Sequence, residues 1–351
     1  MLVVQTARYQ NGNNMEIAEI KQKYTKRLVR VGITLSNYCN FKCWYCWPDA
    51  NGGTIKYPDA DVLIPSLSHL LDYYQEHTGK TEFDFNLAGG EPTNWKQFLP
   101  FVSHFKKNYN VKMTMHTNGS RKLSWWETVY PYLDNVSISV HHEFVDVEHV
   151  RAVADFLYSK NVLVSCQVLM DPLAWDKCMG IVEELKKSRH HWSIRYNEVI
   201  HSTISYTEEQ KTIVNSVRAR GQLWWWFLLH NRSYRINTVV VDTKGKSHSV
   251  SENHILVNKL NRFKGWECSI GVNWLAVGPN GELSGYCANK LFDSDASYNL
   301  FDPDFKEKFN PKIVPSICEQ ENCVCVTDTN MPKRKISNSV PRKIIPIQLE
   351  K

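Results

Sequence analysis

The chain has 351 residues, enough for about two domains and a sizeable core. Hydrophobic residues make up 42% of it, yet no apolar run reaches membrane-spanning length and Met1–Gln10 lacks the basic-then-apolar order of a signal peptide, so a cytoplasmic protein is expected. The formal net charge of +6 permits an anionic partner without requiring one, and ten cysteines without an export signal point to metal ligation rather than disulfides.

Residues 1–27 are polar and mixed and read as an N-terminal extension. The apolar, β-branched run Leu28–Leu35 predicts the first strand. It leads into Ser36-Asn-Tyr-Cys39-Asn-Phe-Lys-Cys43-Trp-Tyr-Cys46, which places three thiols on one short stretch. Free cysteine is usually buried singly as a small hydrophobe, so a triplet this tight points to ligation. Structural zinc wants four ligands, whereas three thiolates suit an iron–sulfur cluster with one iron left open. A zinc knuckle completed by His141 or His142, and a cysteine stripe on a helix, are the competing readings. The pattern Cys-x3-Cys-x2-Cys, with the aromatic Tyr45 before its third cysteine, closely resembles the signature of the radical S-adenosylmethionine (radical SAM) superfamily. The resemblance implies that Cys39, Cys43 and Cys46 hold a 4Fe–4S cluster whose open iron chelates SAM. It also implies one-electron cleavage of SAM to methionine and a 5′-deoxyadenosyl radical that abstracts hydrogen from a substrate.

Further strands are predicted at Glu82–Leu87, Lys112–His116, Asn135–Val140, Val162–Leu169 and Trp192–Val199. Helical stripes lie between them, at Leu63, Leu67, Leu70, Leu71 and Tyr74, at Val150, Val153, Ala154 and Leu157, and at Cys178, Ile181, Val182 and Leu185. Six strand–helix units over residues 28–222 predict an α/β fold with a parallel sheet. They are too few for a closed eight-stranded barrel and match the partial (β/α)6 barrel that the resemblance implies, with its site at the carboxyl ends of the strands.

The second strand ends in Gly89-Gly90-Glu91-Pro92, where paired glycines let backbone pass close to a ligand and a carboxylate can receive an ammonium group. The radical SAM resemblance assigns this motif to the amino group of SAM. By the same resemblance Asn118, in Thr117-Asn118-Gly119 after strand three, and Ser139 on strand four are SAM contacts. Gln167, Arg195 and Ile200 are the corresponding candidates further round, with Ile200 packing on adenine. A satisfied structural polar residue is the alternative for each of the polar ones. Asp84 and Asn86 alternate with Phe83, Phe85 and Leu87, which directs them into the barrel.

Residues 223–261 read as a connector containing Trp224-Trp-Trp226, and residues 262–330 as a small separate unit. In that unit Gly278-Pro-Asn-Gly281 predicts a tight hairpin between Val272–Val277 and Glu282–Tyr286. Cys268 and Cys287 bracket the hairpin, and Cys318, Cys323 and Cys325 follow. This arrangement resembles the SPASM/twitch extension of radical SAM enzymes, although five cysteines suit one auxiliary 4Fe–4S cluster rather than two. Four of the five would ligate, and a structural zinc site is the alternative. Residues 331–351 read as a basic tail.

The expected activity is therefore that of a radical SAM enzyme supplied by a reductant such as flavodoxin or ferredoxin, acting on a small metabolite or a peptide side chain. Modification of a nucleobase or nucleoside, in DNA included, is the alternative that the basic balance and tryptophan clusters keep open. A non-catalytic iron–sulfur protein is a third, opposed by the intact Cys39, Cys43, Cys46 and Glu91.

Overall fold

The computed structural model describes residues 16–21, 27–46, 51–199, 205–220, 238–250, 255, 259–284, 291–293, 296–323 and 331–336. Ile200, Trp224–Trp226, Cys287 and Cys325 lie outside these residues.

In chain order the elements are β1 (Ile17–Lys21), β2 (Leu28–Thr34), α1 (Ala60–Thr78), β3 (Glu82–Ala88), α2 (Phe98–Asn108), β4 (Val111–Thr117), α3 (Leu123–Val129) and β5 (Asn135–Val140). Next come α4 (Val147–Ser159), β6 (Leu163–Met170), α5 (Trp175–Lys186), β7 (Ser193–Glu198) and α6 (Glu208–Arg220). The rest are β8 (Thr238–Asp242), β9 (Ser247–Val250), β10 (Glu267–Cys268), β11 (Trp274–Val277), β12 (Glu282–Ser284), β13 (Tyr298–Asn299), α7 (Phe305–Lys308), β14 (Ser316–Ile317) and β15 (Lys333–Arg334).

Strands β2 to β7 pair in sequence order, all parallel, with a helix after each one. This is the partial (β/α)6 barrel. Alternation along each strand sorts its side chains. Val29, Val31 and Ile33, then Phe83, Phe85 and Leu87, then Val136, Ile138 and Val140 are buried against the helices, and the three predicted helical stripes close on them. The opposite faces carry Arg30, Asp84, Asn86, Thr114, His116, Ser137, Ser139, Gln167 and Asn197 toward the barrel interior. Helix α1 starts where Asp59 accepts the Asp61 amide at 3.0 Å and stops at left-handed Gly79.

Two features depart from the sequence expectation. The hairpin does not stand apart. Its first strand, β11, pairs in parallel with β2, and β12 and β13 follow it, so the barrel sheet has nine strands. All four residues of β11 are buried, and they cover a β2 edge that would otherwise leave backbone groups unpaired. The N-terminal extension, the connector and the basic tail also contribute strands. They form a second, six-stranded sheet in the order β14-β10-β15-β1-β8-β9. Strand β1 escapes a period-two reading because a bulge between Ile17 and Glu19 puts its buried residues, Ile17 and Ile20, three apart.

Candidate active site

The cysteine loop leaves the carboxyl end of β2 and is pinned onto the segment that leaves β3. Gly89 and Gly90 have φ of +88° and +55°. A β-carbon on Gly90 would stand 2.2 Å from the Tyr38 carbonyl oxygen, and one on Gly89 would stand 2.7 Å from that of Ser36. The close approach these glycines permit is therefore to the cysteine loop itself. The Glu91 amide donates to the Tyr38 carbonyl at 2.9 Å, and the Tyr57 hydroxyl donates to the carbonyls of Tyr38 and Glu91 at 3.0 and 2.6 Å. At the foot of the loop, the Ser36 hydroxyl donates to the Ile55 carbonyl, while Asn37 donates to the Thr54 hydroxyl and accepts from the Ile55 amide.

Glu91 is 1% exposed and ties three segments together. Its Oε1 accepts from the Thr93 amide (3.1 Å), the Thr93 hydroxyl (2.7 Å) and the Thr117 hydroxyl (2.7 Å), and its Oε2 accepts from the Asn118 amide (2.6 Å). Burial raises the pKa of this carboxyl, and the four donors oppose that rise. The Asn118 side chain reaches back to the loop, donating to Asn40 Oδ1 at 2.9 Å and approaching Cys39 Sγ at 3.8 Å. Glu91 and Asn118 thus join the ends of β3 and β4 to the first cysteine.

The three thiols lie within mutual electrostatic range. Burial raises Cys39 and pushes Cys43 up to about 12, and neighbouring thiols add to both, as Glu143 does to Cys43. Among the described residues no three histidine, cysteine or acidic side chains converge as a metal-binding group. The donor set suits iron: three soft thiols on one loop, groups that give up protons when metal binds. The neighbouring histidines are engaged elsewhere. His141 Nδ1 pairs with the Tyr45 hydroxyl at 3.1 Å, and burial lowers its pKa to about 4. His142 Nε2 faces Asp171 at 3.7 Å, and Tyr45 stacks on both rings.

Ser139, Gln167 and Arg195 stand side by side across β5, β6 and β7 in direct register. The row below, His116, Ser137, Ser165 and Ser193, is similarly aligned. Gln167 donates to Ser137 Oγ and accepts from Asn197. His116, which the sequence reading did not single out, is accessible to solvent yet ringed by protein, as expected of a residue lining an open interior, and that enclosure lowers its pKa. Its signal was available: it alternates with Met113 and Met115, which are core. Toward the amino ends of the strands, Arg30 and Asp84 pair at 3.4 Å and close the interior from below.

Residues 33–153 match the family described as the radical SAM superfamily. The chain carries a radical SAM domain. Among curated proteins, the GTP 3′,8-cyclases of Actinobacillus pleuropneumoniae serotype 3 and Pasteurella multocida are each 24% identical to it over 139 residues. Those alignments cover 38% and 37% of this chain, which spans about 40% of the length of either relative. Among solved structures, anSMEcpe with bound AdoMet is 15% identical with a TM-score of 0.48, covering 82% of this chain and 78% of that one. SuiB of Streptococcus suis is 13% identical with a TM-score of 0.47, covering 80% of this chain and 65% of that one.

The radical SAM domain leaves the later cysteines to the rest of the chain. Cys268 lies on β10, and the ladder of β10 and β14 continues through the Cys318 amide, which donates to the Trp266 carbonyl at 2.8 Å. Cys318 is therefore opposite Trp266, and Cys268 is opposite Ser316, all on one face of the ribbon. Cys323 is held by Asn261, whose carbonyl accepts its amide at 2.8 Å. All three thiols are buried. Cys268 packs into the barrel core, while Cys318 and Cys323 belong to a smaller core with Ile17, Ile20, Phe263 and Trp266. Cys166 and Cys178 are fully buried structural thiols.

Proposed function

We propose that this chain is a radical SAM enzyme whose site is the mouth of the barrel at the carboxyl ends of β2 to β7. One observation carries the proposal: the cysteine loop is clamped by its backbone to Gly89-Gly90-Glu91, so the thiols stand beside the interior that the strands enclose. Cys39, Cys43 and Cys46 would hold the 4Fe–4S cluster that the family implies. When bound, that cluster and SAM supply one-electron cleavage to methionine and a 5′-deoxyadenosyl radical able to take hydrogen from a substrate carbon.

The chain's own groups do the holding and aligning. Glu91 and Asn118 fix the loop, and Gly89, Gly90, Glu91 and Asn118 would receive the methionyl end of SAM. Tyr45, Ser139, Gln167 and Arg195, with Ile200, would receive its adenosyl end. Radical SAM enzymes draw electrons from a donor protein, here a flavodoxin or ferredoxin. Above the Arg30–Asp84 pair the interior is lined by hydrogen-bonding groups, most of them uncharged, with Arg195 on β7, which favours a small polar metabolite, or a peptide side chain, over an apolar substrate. The second reading, a nucleobase or nucleoside, is favoured by the partial likeness to curated relatives named for action on GTP. Cys268, Cys318 and Cys323, with Cys287 or Cys325, would bind an auxiliary 4Fe–4S cluster.

Anaerobically reconstituted protein given dithionite and SAM is expected to release 5′-deoxyadenosine, measured by liquid chromatography, and Cys43→Ala to release none above background. Equal output from the two removes the enzyme reading. Adding nucleosides or mixed polar metabolites and looking for deuterium-traceable hydrogen transfer into 5′-deoxyadenosine separates the substrate classes.

A further inference from the structure

Side chains at matching positions of neighbouring barrel strands form rows across the inner face. His116 on β4 is in direct register with Ser137 on β5, Ser137 with Ser165 on β6, and Ser165 with Ser193 on β7. With neighbouring strands about 4.8 Å apart, this row runs about 14 Å along the sheet. His116 stands two residues before Asn118, whose side chain approaches Cys39 Sγ at 3.8 Å, so the row is the level of the interior next below the cysteine loop.

The protein does not complete the hydrogen bonding of this row. One level down, Asn135 donates to Thr114 at 2.8 Å, and at the floor Arg30 pairs with Asp84. In the row itself the Ser165 and Ser137 hydroxyls are 3.5 Å apart and Ser137 also accepts from Gln167, but the Ser193 hydroxyl has no hydrogen-bond partner among the described residues. The His116 ring is exposed, and it makes no hydrogen bond to another described residue. Enclosure by protein lowers its pKa and so keeps the ring neutral near pH 7, with one nitrogen to donate and one to accept. Three hydroxyls and a neutral imidazole suit a ligand whose own groups also both donate and accept, and a hydroxyl is such a group.

We propose that this row is the substrate's subsite and takes a sugar, free or within a nucleoside, through two neighbouring hydroxyls, one of which bonds the His116 imidazole. The inference rests on the reading of the barrel mouth as a radical SAM site, and it narrows the substrate from polar molecules at large to those with vicinal hydroxyls. His116 is then a residue that sets specificity.

The test uses the full chain, anaerobically reconstituted and given SAM without reductant, so that binding is read without turnover. Guanosine with its 2′-deoxy and 3′-deoxy forms, and D-ribose with its 2-deoxy and 3-deoxy forms, are titrated by calorimetry. The unaltered protein is expected to prefer guanosine or ribose over a deoxy form by roughly three- to tenfold, the worth of one hydrogen bond. His116→Ala is expected to bring that preference close to one while binding the deoxy form as before, a coupling that a merely structural role does not produce. Preference within the guanosine set alone assigns a nucleoside, and preference within the ribose set assigns a free sugar. No binding of any probe, an unchanged preference in His116→Ala, or equal weakening of parent and deoxy forms overturns the proposal. Where His116→Ala fails to fold, Ser165→Ala decides by the same ratios. Release of 5′-deoxyadenosine after dithionite is added judges the radical SAM reading separately. Release without discrimination among the probes overturns the subsite alone, and discrimination without release upholds the subsite and overturns that reading.

Discussion

Cys39, Cys43 and Cys46 share one loop of eight residues, whereas Cys268, Cys318 and Cys323 lie on strands and turns spread over 56 positions, Cys268 in the barrel core and the other two in a smaller one. The first group is positioned by contacts close by: the loop follows β2, and its clamp, Gly89-Gly90-Glu91, follows the neighbouring strand β3. The second group is placed by β10 pairing with β14 and by Asn261 holding Cys323, contacts between segments distant in sequence. The difference teaches that a group of thiols can be positioned locally, by spacing, or globally, by register, and that the two should fail in different ways.

The sharpest way to break the first arrangement without touching a thiol is Gly90→Ala. The new methyl would meet backbone rather than a movable side chain, at a φ of +55°, and the loop must lift. We expect a loss on the order of 3 kcal/mol in stability and loss of iron from the first site, read by thermal unfolding and iron assay. Gly180→Ala is the control, since its β-carbon would enter open space on α5 and helix propensity predicts a gain of about 0.5–1 kcal/mol.

A smaller effect is expected for Thr117→Val, which removes one of the four donors to buried Glu91. The cost should be about 1–3 kcal/mol in thermal or urea unfolding, with later cysteines retaining whatever metal they bind. If the C-terminal metal is lost equally, the two groups are not independent and the comparison fails.

Acid should act on the barrel through His116. Its folded-state pKa lies below the ordinary 6.5, so the unfolded chain binds the proton more readily. The contribution to stability is complete above about pH 6.5 and is lost as pH falls below that value toward the lowered folded-state pKa. Unfolding midpoints measured against pH should fall less steeply in His116→Gln. The smallest effect is expected at the surface of the second sheet, where Arg334→Ala removes an exposed pair with Glu267 and should cost no more than about 1 kcal/mol. Its chain neighbour Lys333 points the other way, so a similar result for both would break the assignment of faces.

All six barrel strands were legible in the sequence to within about two residues, because their cores alternate with polar residues that line an interior. Helix α2 carries a stripe of Phe98, Phe101, Val102 and Phe105, yet the sequence reading leaves it unassigned since these residues also favour strands. Of the site, the cysteine spacing and Gly-Gly-Glu were plain, but not what the glycines admit. That depends on where Tyr38 sits after folding. The hydrogen-bond hub at Glu91 was equally hidden, since Thr93 and Thr117 have no periodicity that marks them. The six-stranded sheet was the least legible part. Three of its strands are two residues long, β1 is bulged, and pairing between chain ends leaves no local signal.

That last pairing has a bearing on synthesis. The Lys335 amide bonds the Ala18 carbonyl at 3.1 Å, and its ammonium reaches Glu16 at 3.3 Å across a separation of 319 residues. A nascent chain leaving the ribosome can therefore pair β2 to β7 while β1 still waits for β15, so the six-stranded sheet closes after the barrel strands have been made.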